Sequence, residues 1–320
     1  MNRTWGISRV VWRTAIVLMF VASVFGVMSA QDSGEKTFTS FPDASKALYD
    51  AVKSGDKAAV LAVLGSSSEP ILSSGDPVQD KKNADQFAAR YEQMNRWGKE
   101  TNGDETLFLG ADNWPFPVPL KKNAAGQWYF DSKAGVEEVL FRRIGANELA
   151  AIRVCKALAD AQDEYFDQLH DGDTVHQYAQ KFVSDESKQN GLYWKTAEGE
   201  PQSPIGPVFK YAAAEGYSKN ADPFHGYYFR MITAQGAAAP GGAKSYIVDG
   251  KMTGGFAFVA YPAQYRNSGV MTFVVNLNGA IYEKDLGPKT ADLAKAATAI
   301  NPDNTWRAVS YGTEDEAEEQ

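Results

Sequence analysis

Between residues 40 and 65 the apolar positions recur at helical spacing. Leu48, Val52 and the group Val60, Leu61 and Leu64 form stripes, and Ser40 with Asp43 three residues on, around Pro42, makes a helix start of the capping-box type. Gly55 and Gly65 then close two short helices. After a polar turn, SSGDP (73–77), the segment QFAARYEQMNRW (86–97) is read as a third helix. From there the period changes from helical to two: ETLFLG, PFPVPLKK and QWYFD are three strands, with NAAGQ (123–127) as the clearest turn. Three helices leaning on a curved antiparallel sheet are expected over residues 38–145.

The helical period returns at Gly135. VEEVLFRRIG is expected to end at Gly145, and Asn147 to cap a new helix, ELAAIRVCKALADAQDEYF, with Leu149, Ile152, Leu158 and Tyr165 on its apolar side. A stretch rich in Gly and Pro, GEPQSPIGP (199–207), leads to short apolar segments: GYYFRMI, SYIV, GGFAFVAY, GVMTFVVN and GAIYEK. NLNG (276–279) between two of them is a hairpin signal. A long helix on an antiparallel meander is therefore expected over residues 146–309. The whole is an α+β protein of two domains with a boundary at Gly145.

One strand has an unusual composition. DNWPFPVPLKK (112–122) places Pro115, Pro117 and Pro119 between Trp114, Phe116, Val118 and Leu120, so all three prolines share one face and delete backbone donors from one edge. This predicts an edge strand closed to further pairing, with its apolar face on the core. A polyproline II segment offered to an aromatic groove is the rival.

The termini and the charge narrow the class. Arg3, Arg9 and Arg13 precede the apolar run AIVLMFVASVFGV and the small residues Ser29 and Ala30, the pattern of a secretory signal peptide over residues 1–30. The run is short for a membrane span, so no stable membrane anchor is expected once the signal is removed, and the protein is expected in the periplasm or secreted. The chain has a formal net charge of -8, and the three signal arginines would leave with the peptide. Residues 310–320 end in EDEAEEQ, an acidic solvated tail. A surface of this sign does not suit nucleic acid; an envelope protein or a small ligand is the expected partner. Cys155, the sole thiol, falls in a helical pattern and is expected to be buried and inert.

Few residues offer chemistry. His170 and His176 lie in LHDGDTVHQ beside Asp171 and Asp173, but the spacing matches no metal motif and suits a solvated loop, so no metal is expected. QGAAAPGGAKS (235–245) lacks the glycine directly before Lys244 that a phosphate loop requires, and no GxSxG elbow occurs; no cofactor is expected. His225 at a strand entrance, Glu283 beside Asp285, and Asp112 are weak catalytic candidates. Trp114, Phe116, Trp128, Tyr227 and Arg230 are candidates for binding a ligand in an aromatic cavity.

Several segments resemble known families. DNWPFPVPL, RRIGANELAAI, GYYFR, GFAFVAYPAQY and GVMTFVVN are similar to the exported bacterial family termed domain-of-unknown-function 2950, over roughly residues 38–307. That resemblance implies export and no assigned activity. GANELAAIRVCKALADAQDEYF with the later strands resembles the head of type IV pilins and pseudopilins, although no prepilin-type Gly and Glu flank an apolar helix running into it. The first half, through Gly126 to Trp128, is similar to the nuclear-transport-factor-2-like cone. Together these imply a non-catalytic binding or assembly module of the cell envelope. The alternative is a periplasmic hydrolase or isomerase with an acid/base site between the domains, which requires His225, Glu283 and Arg230 to converge within hydrogen-bond reach.

Overall fold

The computed structural model describes residues 36–197, 199–217 and 222–310; the expected signal peptide and all but the first residue of the expected acidic tail lie outside the described residues. The first helices form where the caps predict them. Ser40 accepts a hydrogen bond from the Asp43 backbone and opens α1 (Phe41–Ser54), which ends at Gly55 in the left-handed region at φ 69°. Asp56 caps α2 (Lys57–Leu64), and a short α3 (Glu69–Leu72) follows.

The third long helix departs from expectation. α4 spans Pro77–Gln93: Asp76 is its cap and Pro77 its first residue, so it starts nine residues before the apolar pattern suggested. Its first turns, PVQDKKNAD, are polar because they face solvent or the cleft described below, and periodicity is blind to them. Its other end is also earlier, since Asn95, Arg96 and Trp97 belong to β1 (Asn95–Lys99).

The first sheet is wholly antiparallel. β2 (Glu105–Leu109) pairs β1 on one side; β3 (Trp114–Pro115) and β4 (Leu120–Lys122) pair its other side, and β5 (Trp128–Phe130) lies beyond β4. The backbone of Phe38 exchanges two 2.8 Å hydrogen bonds with Trp128 and covers that outer edge. The end of the proline-rich segment, β4, is therefore interior, and there the edge-strand reading is corrected; β3, with Pro115, has a strand on one side only. The segment's alternation is as expected: Phe116, Val118 and Leu120 are buried, Pro115 is exposed, and Pro117 and Pro119 are half-buried. Phe108 to Glu105 is three steps along β2, whereas their partners Pro115 and Leu120 are five apart, so the segment bulges by two residues. The Phe116 amide donates to Leu107, which puts the donor-free edge on the side away from β2. The next helix closes that side.

This helix, α5 (Ser132–Phe166), is continuous over 35 residues, roughly 52 Å at 1.5 Å per residue. The expected break at Gly145 is absent, because Gly145 lies on the exposed face with nothing near the position of a Cβ. Asn147 is no cap: it is buried and its side chain donates to the Ser268 carbonyl at 2.8 Å. At the near end, Gly135 packs on Val118, and Arg142 donates to the Pro115 carbonyl at 3.0 Å.

After α6 (Gly206–Glu215) the chain forms β6 (Tyr227–Ile232). It then makes a small excursion through β7 (Ala234–Gln235), β8 (Lys244–Ser245), β9 (Ile247–Val248) and β10 (Lys251–Met252), and returns in β11 (Ala257–Pro262). β12 (Met271–Asn276), β13 (Ile281–Asp285), α7 (Thr290–Ala296) and β14 (Arg307–Ala308) complete the described chain. The second sheet has the order β14-β13-β12-β11-β6, all antiparallel, with the expected turn of Asn276 to Gly279 joining β12 and β13. α5 packs on β11, β12 and β13, and α7 packs on β11, which explains why every residue of β11 is buried. The fold is thus α+β, as the sequence predicts. All described residues fall in one compact unit with two apolar clusters, one drawn from residues 38–130 and one from 151–300.

The Gly135–Val118 contact is tight enough to test. A Cβ at Gly135 would lie 2.6 Å from one Val118 methyl and 2.9 Å from the other. Gly135→Ala should therefore lower stability by about 1–3 kcal/mol in urea unfolding, although alanine usually gains about 1 kcal/mol over glycine in a helix. Adding Val118→Ala should return part of the loss, as expected for residues in direct contact.

Candidate functional site

The start of α4 builds one wall of the site. Asp76 is 1% exposed, and its carboxylate accepts four hydrogen bonds. Oδ1 takes the amides of Val78 (3.2 Å) and Gln79 (3.1 Å); Oδ2 takes the Tyr217 hydroxyl (2.7 Å) and the Gly226 amide (3.1 Å). Burial, then the bond to Asp76, raises the Tyr217 pKa, so the phenol stays a donor. One carboxylate thus caps a helix and holds the turn before β6 against it.

That turn carries His225. Phe224 and Tyr227 exchange backbone hydrogen bonds of 2.8 and 3.1 Å, and the two residues between them, His225 and Gly226, have φ of 49° and 73°. Two successive left-handed residues make a tight hairpin turn, and a histidine there is uncommon. The turn aims the imidazole at the end of α6, where Nε2 stands 2.9 Å from Oε2 of Glu215. The other oxygen of Glu215 accepts from Lys82 on α4 and from Tyr211 (3.2 Å). Burial lowers the pKa of His225 more than Glu215 and Asp76 raise it. For Glu215, burial pushes upward, but Lys82, His225 and Tyr211 together bring the carboxyl below its ordinary value.

His225, Glu215, Lys82 and Tyr211 line a cleft of about 1650 Å³ bounded by α1, α4, α5 and α6. Phe87, Phe116, Val139 and Ala150 give it apolar walls, and Trp114, Arg143 and Asn147 also line it. Trp114 is flanked by cations, with the Arg90 guanidinium 5.3 Å and that of Arg142 5.9 Å from its ring centre.

The structure brings together only some of the expected residues. His225, Trp114 and Phe116 line the cleft. Asp112 is exposed, is not on the cleft lining, and pairs with Arg90 at 3.2 Å. Glu283 pairs with Arg307 at the β13–β14 edge of the second sheet. Arg230 donates to the Ala294 and Ala297 carbonyls, closing the end of α7. On the sheet ladder Arg230 and Glu283 lie three strands apart, roughly 14 Å, with side chains on opposite faces. The convergence of His225, Glu283 and Arg230 is therefore not formed. Trp128 packs edge-on against Phe41 in the first cluster, and Tyr227 is fully buried in the second with its hydroxyl on the Met271 carbonyl at 2.9 Å. The five expected ligand residues accordingly do not make one site. Asp76, Lys82, Arg143, Glu215 and Tyr217 were not singled out by their spacing; of these, only the Asp-Pro helix start at Asp76 had a readable signal.

The remaining motifs have structural explanations. His170 Nε2 lies 2.9 Å from the Tyr165 carbonyl and His176 Nδ1 2.7 Å from that of Phe166, so both imidazoles close the carbonyl end of α5. Among the described residues no group of three His, Cys, Asp or Glu side chains is placed to hold a metal. The loop from Gln235 to Ser245 joins β7 to β8 as a hairpin, and the Gln235 amide fills it by donating to the Pro240 and Gly242 carbonyls. Cys155 is buried, and burial pushes its thiol up to about 12. Among the described residues no helix is long and apolar enough to cross a membrane.

Fold and cleft define an α+β protein in which one long helix serves two antiparallel sheets beside a deep interhelical groove. The chain belongs to the family described as "Protein of unknown function (DUF2950)", whose model matches residues 35–309. No curated protein and no solved structure matches it; the likenesses to pilin heads and to the nuclear-transport-factor-2-like cone rest on sequence segments alone.

The His225 environment sets a pH dependence. A folded-state pKa below the ordinary 6.5 means that neutral His225 contributes stability that is complete above that value and is lost as pH falls through the folded one. Thermal melts between about pH 7.5 and 5 should show a falling midpoint. His225→Asn, which suits a left-handed φ, should flatten that part of the curve. It should leave the loss at lower pH that comes from Glu215, whose depressed carboxyl is stabilising only while ionised.

Proposed function

We propose that this chain is an exported binding module of the cell envelope, and that it takes a small ligand or a partner segment in the cleft beside α5. The cleft is the observation that carries this reading: at about 1650 Å³ it is wide enough for a small ligand or a partner segment and joins apolar walls to charged and polar side chains that could orient one. Its polar groups are held by helix caps and a tight turn, so the site is rigid before anything binds. Export is supported by the arginines and apolar run of residues 1–30.

Both parts are testable. The mature chain should begin near Gln31 in N-terminal sequencing of protein from the periplasmic or secreted fraction; an intact Met1 held in the membrane fraction would refute export. Ala146 is exposed and lines the cleft, so Ala146→Trp should obstruct the part beside α5 without disturbing either core. Native mass spectrometry of protein taken from the envelope should show added mass on the unaltered chain and little on the variant. Identical spectra with no adduct would count against a ligand in the cleft.

A further inference from the structure

Within the cleft one group lacks the partner its chemistry demands. Arg143 on α5 is 8% exposed, yet among the described residues it forms no ion pair. Its guanidinium donates to two neutral oxygens, Asn267 Oδ1 at 2.7 Å and the Ile71 carbonyl at 3.1 Å, and its Nε is buried with no acceptor among the described residues. Asp80 acts on it electrostatically without coming into ion-pair contact, and both Asp80 oxygens accept from the Ser74 amide, at 3.1 and 3.2 Å. A buried cation is ordinarily matched by an anion in contact, and a guanidinium presents five donors, of which two are used here.

The rest of the lining leans the same way. Eight Lys and Arg side chains border the cleft against five Asp and Glu, and Arg90 and Arg142 are paired with Asp112 and Glu138 beyond the lining, so a small excess of positive charge remains in a chain whose own net charge is -8. Phe87, Phe116, Val139 and Leu72 offer hydrocarbon in the same groove. Resting on the cleft-binding reading above, we propose that the ligand is an organic carboxylate with an apolar body: the carboxylate on the unused donors of Arg143, the body along those apolar walls. One unmatched guanidinium balances one carboxylate charge, and its fork geometry suits two parallel hydrogen bonds.

Titration calorimetry with matched probes tests this: hexanoate and benzoate against hexanamide and benzamide, on the full chain. The carboxylates should bind about tenfold or more tightly than their amides, the effect of one charge-assisted pair. Arg143→Gln should abolish the difference while Arg96→Gln, at an exposed position of β1 outside the cleft lining, keeps it. Because Arg143 also braces α3 and the β11–β12 loop, its variant must first give a cooperative melt. If it does not, a salt series on the unaltered chain decides, since carboxylate affinity should fall with ionic strength and amide affinity should hold. Equal binding of acid and amide, or salt-independent carboxylate binding, would overturn the anion assignment and leave a ligand-binding cleft. No binding of any probe would overturn both.

Discussion

Everything in this fold is referred to one continuous helix. α5 receives the first sheet at its start, where Gly135 admits Val118, and carries the second sheet along its later turns, where Ala151, Cys155 and Leu158 are buried. A rod of 35 residues carries the second apolar cluster directly, meets the first sheet through the Gly135–Val118 contact, and leaves Ala146 and Ala150 on the lining of the cleft. Cluster, sheet and cleft therefore share a single rigid reference.

The space beside that helix is framed by polar contacts. Asp76, Arg143 and Asn267 are each bonded to atoms far away in sequence: Asp76 to Tyr217 and Gly226, Arg143 to Ile71 and Asn267, and Asn267 to the Ser73 carbonyl. Buried polar groups of this kind contribute modestly when satisfied and cost much more when one partner is removed. They fix which parts of the chain meet, and hence where His225, Glu215 and Lys82 stand. The segments they fix are short turns and helix ends with little apolar area, where packing alone would specify position poorly.

The proline-rich segment illustrates how local chemistry and tertiary context divide the work. Alternating prolines guarantee that one face is apolar and that one edge lacks donors, whatever surrounds them. They do not say what lies at that edge. Here it is α5, with Arg142 bonded to the Pro115 carbonyl, so the missing amides would have had no strand to pair with.

Caps, turns and periods were legible in the sequence: Ser40 and Gly55 around α1, the alternation of Phe116, Val118 and Leu120, the turn at Asn276–Gly279, and the α+β class all follow from interactions within a few residues. So was the burial of Cys155. The continuity of α5 was not, because a glycine on an exposed helix face costs only about 1 kcal/mol and packing on both sides outweighs it. Nor were the polar first turns of α4 or the composition of the cleft. Arg143 and Glu215 are ordinary surface residues by type; the first is buried by α3 and the β11–β12 loop, the second by Lys82 and the His225 turn. Two of those contacts, Arg143 to Asn267 and Lys82 to Glu215, join residues more than a hundred positions apart, and such proximity arises only from the tertiary arrangement.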